Sequence, residues 1–356
     1  MTNPMQTPIL PLEDLTPRSL SIEERISMTA RCQDAAPIPK VAEAGTVQLE
    51  PDGTRVQIMH NGLKVLADGY DGEWVTRLIT LCRGHHEPQE ERIFHEVVSR
   101  LPAAATMLEL GGYWAYYSLW FMHGWPGRRA VIVEPDPAHR DIGERNARLN
   151  GLAAEFVSGF LGGKPEPATL FQTEDSGDVL LPCVSVPQVM ERRGIGTLDL
   201  LHCDVQGVEL EVLESCQDLF RRGCIRWVFV STHAHLISGD PLTHQRCLTV
   251  LRNVGGSIEA EHDVHESFSG DGLIVARFGP LPEGWIGVPV SRNRYSESLF
   301  RNPLYDLAAE QKTAEATRQQ LEAARQQLEA IYQSRSWQYT RGLRAIARRL
   351  RSVARR

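Results

Sequence analysis

Two carboxylates and a glycine turn carry the first chemical signal in this 356-residue sequence. Glu109 ends the apolar run TMLEL (106–110). Gly111 and Gly112 follow, and a bulky segment, Tyr113–Trp114–Ala115–Tyr116, opens the next stretch. Glu134 ends VIVE and lies 25 residues after Glu109. An acid at about that distance beyond a strand–glycine–helix turn suits ribose hydroxyls, and glycine lets the backbone approach a ligand closely. A pyrophosphate prefers a helix N-terminus without anions beside it. Glu109, two residues before Gly111, would repel a dinucleotide and attract a cation. S-adenosylmethionine joins a ribose to an ammonium and a sulfonium, so the turn reads as a methyl-donor site. Glu134 would hold the ribose, with Glu109, Gly111 and Tyr113 toward the methionine end. An NAD-dependent oxidoreductase is the competing enzyme. A non-catalytic scaffold, its donor pocket blocked by Tyr113 and Ala115, is the reading outside enzymes.

Methyl transfer to oxygen is an in-line displacement helped by alignment and by a base near the attacking hydroxyl. Asp204 in CDVQGVE and His233 in VSTHAH end later apolar runs and are the catalytic candidates. Histidine titrates near neutrality and is the commonest base. Glu209 falls at the start of a helix, where an acid meets the helix dipole. His235 and His244 lie near enough in sequence to raise a metal, but no spacing puts two histidines on one helix face, and no metal is assigned. The cluster HHEPQEE (85–91) supports two roles. Its acids and Pro88 suit a helix N-terminus. Alternatively Glu87 meets the donor's ammonium, or His86 faces the acceptor.

The elements that must position these residues follow from pattern. Residues 1–40 are polar and proline-rich and read as a flexible leader. Residues 41–67 alternate around PDG (51–53) and NG (61–62), a small β-meander, and a helix is expected over 88–101. Short apolar runs then recur at 106–110, 130–134, 154–158, 198–204, 226–232, 257–263 and 272–278, most of them separated by helical segments. Near-continuous apolar strands between helices predict a parallel sheet covered on both faces. No helical pattern separates the last two runs, so the final strand is antiparallel. The fold class is therefore α/β, a doubly wound, Rossmann-like sheet over 103–300, preceded by a meander-and-helix region over 41–102. A C-terminal helix (301–333) carries the heptad repeat RQQLEAA–RQQLEAI (318–331), a seam for a homo-oligomer.

Three segments resemble a known family. MLELGGYWAYYSLWF (107–121), VIVEPDPAHRDIGERNARLNG (131–151) and above all DLLHCDVQGVELEVLE (199–214) look like class I S-adenosylmethionine-dependent methyltransferases of the FkbM type, over roughly residues 55 to 280. The resemblance implies a Rossmann-like methyltransferase fold, S-adenosylmethionine as cofactor, and Asp204 and His233 at the active-site edge. This chain departs from the family's usual pattern at Tyr113, Ala115, His202 and Gln206. The family context suggests an O-methyltransferase acting on a sugar hydroxyl of a cell-surface glycan or its precursor.

Charge limits the partners. Of 38 basic residues, eight arginines fall within 335–356, leaving 30 against 45 acids in the body. An acidic body excludes nucleic acid as partner, because phosphate contacts dominate that affinity. Residues 334–356 instead form a basic amphipathic pattern suited to peripheral contact with an anionic membrane, and SRSWQYTRGLR resembles the ends of bacterial surface-glycan enzymes. Scattered cysteines and an N-terminus unlike a signal peptide predict a cytoplasmic protein, at most peripheral to the inner membrane face.

Overall fold

The computed structural model describes residues 20–300, 303–334, 337, 339 and 340. The chain divides into two units, one over residues 17–303 and one made of residues 1–16 and 304–356. The first begins with helix α1 (Ile22–Arg31), whose N-terminus is closed by a reciprocal Ser21–Glu24 capping box. Ile26 and Met28 are buried, Ala35 and Ile38 join the core, and the Thr29 hydroxyl donates to the Phe268 carbonyl at 2.6 Å. Residues 22–40 are thus packed rather than a loose leader, because α1 has an apolar face to bury.

Strands β1 (Val47–Leu49), β2 (Arg55–Ile58) and β3 (Lys64–Leu66) form the antiparallel meander. Helix α2 (Glu73–Leu81) was not expected from the sequence. Its run WVTRLITL is rich in β-branched residues, weak helix formers, and packing of Val75, Leu78 and Ile79 decides the matter. Helix α3 (Pro88–Val98) starts with proline at its first turn.

The main sheet then unfolds in alternation. Strand β4 (Thr106–Leu110) leads to α4 (Tyr116–Met122), β5 (Arg129–Val133), α5 (Pro137–Leu149) and β6 (Glu155–Val157). A second small sheet follows, β7 (Phe160–Leu161), β8 (Glu166–Gln172) and β9 (Asp178–Val184), paired in the order β7-β9-β8. No sequence signal announced it: β8 is exposed at all positions but one, so it has no buried face to write a period-two pattern. The chain returns through α6 (Val186–Arg192), β10 (Leu198–Cys203), α7 (Glu209–Ser215), α8 (Gln217–Arg221) and β11 (Ile225–Thr232). It closes with α9 (His235–Ser238), α10 (Thr243–Asn253), β12 (Ser257–His262) and β13 (Gly272–Arg277).

Seven strands lie in the order β12-β13-β11-β10-β4-β5-β6, and β13 alone runs antiparallel to its neighbours. Successive side chains of a strand point to opposite faces. Met107, Leu200 and Phe229 therefore pack with the meander, α3 and α4, whereas Leu108, Leu201 and Val228 pack with α6, α7 and α10. That double burial is why the strands read as unbroken apolar runs. All seven cysteines are free thiols.

The other unit contributes α11 (Pro303–Gln333), on which Leu321, Leu328 and Ile331 of the heptad seam are exposed. The basic tail expected over 334–356 lies outside the described residues apart from Ser334, Trp337, Tyr339 and Thr340. Among the described residues no helix is long and apolar enough to cross a membrane.

Candidate active site

The turn after β4 is built by three separate constraints. Gly111 has φ 75°, and a Cβ there would lie 1.7 Å from the Asp204 carbonyl oxygen, so only glycine lets the ends of β4 and β10 close together. Tyr113 and Ala115 are also left-handed, at φ 38° and 63°, a conformation that costs a side-chain-bearing residue about 1–3 kcal/mol unless its surroundings impose it. Glu134 supplies part of that imposition: one carboxylate oxygen accepts the Tyr113 N–H and the other the Asp136 N–H, each at 2.8 Å. The Tyr113 ring stacks on His139 with centroids 3.6 Å apart.

Helix α4 has no side-chain cap on its own N-cap residue. Glu109 provides one from the preceding strand, accepting the Ser118 N–H at 3.2 Å. Its burial pushes the carboxyl up to about 7. The sequence expected Glu109 to meet the donor directly; it lines the cavity and also closes the helix.

Beyond the carboxyl ends of β4, β5, β10 and β11 opens a cavity of about 750 Å³, within the usual range for small-molecule sites. Glu87, Glu109, Gly111, Tyr113, Glu134, Asp204 and His233 all line it. Every site residue expected from the sequence is therefore brought to one space. His235 and His244 do not line it, and His244 instead hydrogen-bonds Thr232 at 2.8 Å.

Three imidazoles set the charge of the floor. Desolvation lowers the pKa of each, and carboxylates overrule it. His86 is held at about 10 by Glu87 and Glu91, with contacts of 3.2 and 2.7 Å. His202 is held at about 9, chiefly by Glu90 at 2.7 Å. His233 is raised well above its ordinary value by Asp271, Asp204 and Glu209. Its Nε2 lies 3.3 Å from Asp204 and 3.7 Å from Asp271, and its Nδ1 hydrogen-bonds Glu209. Glu209 also accepts the Gly207 N–H at 3.0 Å, so it orients the imidazole as well as the turn before α7.

This corrects the expectation that His233 is the base, since an imidazolium has no lone pair to accept a proton. Asp204, desolvated but gripped by His233, sits below the usual carboxylate range. Asp271 is the group the sequence missed. Burial raises it to about 7, His233 pulls it down, and Asp204 pushes it up again. Asp204 and Asp271 each keep 33% of their side-chain surface open, although protein surrounds them, because both face the cavity. Asp271 stands in a polar stretch, SGDG, with nothing local to mark it. Only the pairing of β13 with β11 carries it to His233.

These residues fit S-adenosylmethionine. The Glu134 oxygens retain lone pairs for ribose hydroxyls after their two backbone bonds. The acidic lining suits a ligand bearing ammonium and sulfonium. A pyrophosphate would meet the Glu109 carboxylate at the N-terminus of α4, the place it normally occupies.

Residues 102–258 match the methyltransferase FkbM domain. Among solved structures, a precorrin-6y methyltransferase from Geobacter metallireducens is similar at 13% identity and TM-score 0.35, covering 52% of this chain and 88% of that one. M. capricolum TrmK in complex with S-adenosyl-homocysteine is similar at 12% identity and TM-score 0.35, covering 64% and 84%. The N-terminal domain of human METTL16 is similar at 13% identity and TM-score 0.38, covering 72% and 94%. No curated protein sequence matches. The turn at Gly111, the acidic cavity and the match of residues 102–258 to the methyltransferase FkbM domain together support S-adenosylmethionine-dependent methyltransferase activity.

Proposed function

We propose that the enzyme is an O-methyltransferase acting on a sugar hydroxyl, in a surface glycan or its lipid-linked precursor. The observation that carries this reading is Asp271, an open carboxylate near neutrality beside the fixed His233 imidazolium. A hydroxyl needs its proton removed as it attacks, and the best base has a pKa near the working pH. Bound S-adenosylmethionine would supply an electrophilic methyl group and a neutral sulfide leaving group. In that transfer Asp271 would take the proton of the attacking hydroxyl as its oxygen bonds to the methyl group and the sulfide leaves. His233, oriented by Glu209, keeps Asp204 ionised and steadies the charge around the reacting oxygen. Tyr70, Trp74 and Phe300 line the same cavity and offer flat apolar faces to a sugar ring.

The glycan context rests on the family resemblance and on the tail sequence. The exposed heptad residues of α11 support pairing with a second copy, and the arginine-rich tail supports a cytoplasmic enzyme touching the inner membrane face. The deciding experiment incubates the full chain with labelled S-adenosylmethionine and separate pools of sugar nucleotides, lipid-linked saccharides, amines and RNA. Label in an ether on a saccharide supports the reading; label confined to nitrogen or to RNA overturns it.

A further inference from the structure

Arg25, on α1, is the only arginine or lysine among the described residues that line the cavity, and it shares that lining with Asp71, Glu87, Asp204 and Asp271. Its guanidinium carbon stands 4.8 Å from the centroid of the Trp74 ring on α2, which also lines the cavity. A cation over an indole face is held in place by the ring quadrupole.

No other side chain answers this charge. Among the described residues the guanidinium makes no ion pair and no hydrogen bond, and its Nε is buried without a partner. Buried polar atoms are rarely left so. Asp71 is near enough for Arg25 to oppose the rise that burial imposes on its carboxyl, yet the two form no ion pair. The contact between α1 and α2 does not need Arg25 for its charge. Arg77 serves there, donating to both Glu23 oxygens at 2.7 and 2.9 Å.

The position of Arg25 is on the acceptor side. Thr29, one turn along α1, lines the cavity and donates to the Phe268 carbonyl at 2.6 Å, three residues before Asp271. The same short helix thus carries Arg25 and is pinned to the loop that holds Asp271. The donor's own carboxylate would lie with its methionine end, beside Glu109 and Gly111.

We propose that Arg25 binds an oxyanion of the acceptor, the carboxylate or phosphate of a charged saccharide, and so selects anionic sugars over neutral ones. This rests on the saccharide reading above. A guanidinium presents parallel N–H groups to two oxygens of such an anion. The surrounding carboxylates would repel the anion elsewhere in the cavity, so the same contact fixes which way round the sugar lies.

The test titrates the full chain, saturated with S-adenosylhomocysteine, with glucuronate, glucose 1-phosphate and glucose. Wild type should bind at least one charged sugar about tenfold or more tighter than glucose, and Arg25→Gln should shrink that preference to about twofold or less. Arg25→Lys should keep part of it, and all three proteins should bind S-adenosylhomocysteine alike. The two charged sugars tell carboxylate from phosphate. Should the variants fail to fold, phenylglyoxal decides on wild type: a charged sugar should shield Arg25 from modification, and glucose should not. Folded wild type that prefers neither charged sugar overturns the proposal, as does a preference that survives in Arg25→Gln or an Arg25 that no charged sugar shields. A loss of S-adenosylhomocysteine affinity in folded Arg25→Gln puts the guanidinium on the donor carboxylate and overturns it too. Methyl ether formed equally on neutral and charged saccharides ends this proposal and keeps the sugar reading, whereas label on amines or RNA alone ends both.

Discussion

Replacing Glu134 by glutamine preserves shape and removes charge, and its effect can be worked from two distances. Both carboxylate oxygens accept backbone N–H groups at 2.8 Å, from Tyr113 and Asp136, and the residue is only 4% exposed. In the amide one oxygen becomes an NH2 that must face one of those N–H groups, donor against donor. One charge-assisted bond is lost, about 1.5–3 kcal/mol. For a domain of this size each kcal/mol lowers Tm by about 2–4 °C, so a fall of about 3–12 °C is expected. The ribose hydroxyls would also lose a charged acceptor, and about 1.4–2.8 kcal/mol there weakens affinity about 10- to 100-fold. Calorimetric titration with S-adenosylhomocysteine, beside thermal melting of the same sample, separates the two effects. A lowered Tm with unchanged affinity would refute the ribose assignment and leave Glu134 as a brace for the Tyr113 turn alone.

Other outcomes follow from the same geometry. Gly111→Ala, whose new methyl would fall 1.7 Å from the Asp204 carbonyl, should part β4 from β10 and abolish S-adenosylhomocysteine binding; a variant that binds normally would show the strand ends to be pliable. Asp271 must be ionised to accept a proton, so kcat/KM should rise with pH and level off above about 7. Asp271→Asn should flatten that limb and lower kcat by about 10²- to 10⁴-fold, with donor affinity retained; a wild-type profile in the variant would remove Asp271 from the chemistry. His233→Gln takes a positive charge from 3.7 Å away, and should move the limb upward by about one pH unit or more. His202, raised to about 9 in the fold, contributes stability that is complete below its ordinary value near 6.5 and lost as pH climbs through about 9. The urea midpoint should therefore drop on the alkaline side, and drop less in His202→Gln.

Particular elements show how far the chain could be read without its fold. The strand β4 and the turn after it were legible because local rules govern them: an apolar run, two glycines, an acid at each strand end. The reversed last strand was legible because no helical pattern separates β12 from β13. Helix α2 was hidden by β-branched residues, and the sheet of β7, β8 and β9 by a lack of any buried face on β8. Packing decides such segments, and packing partners lie elsewhere in the chain.

The site divides in the same way. Residue types and spacing by themselves pointed to a cationic nucleoside as the expected ligand beside Glu109 and Glu134, since strand-end acids next to a glycine turn are a local arrangement. Protonation was decided only by the tertiary structure. His233 became an imidazolium because Asp204, Glu209 and Asp271, from three different segments, surround it. Asp271 came to stand beside His233 because β13 pairs with β11, and burial there raises its carboxyl to about 7. A pKa depends on burial and on charges within a few ångströms, and neither is a property of neighbours along the chain.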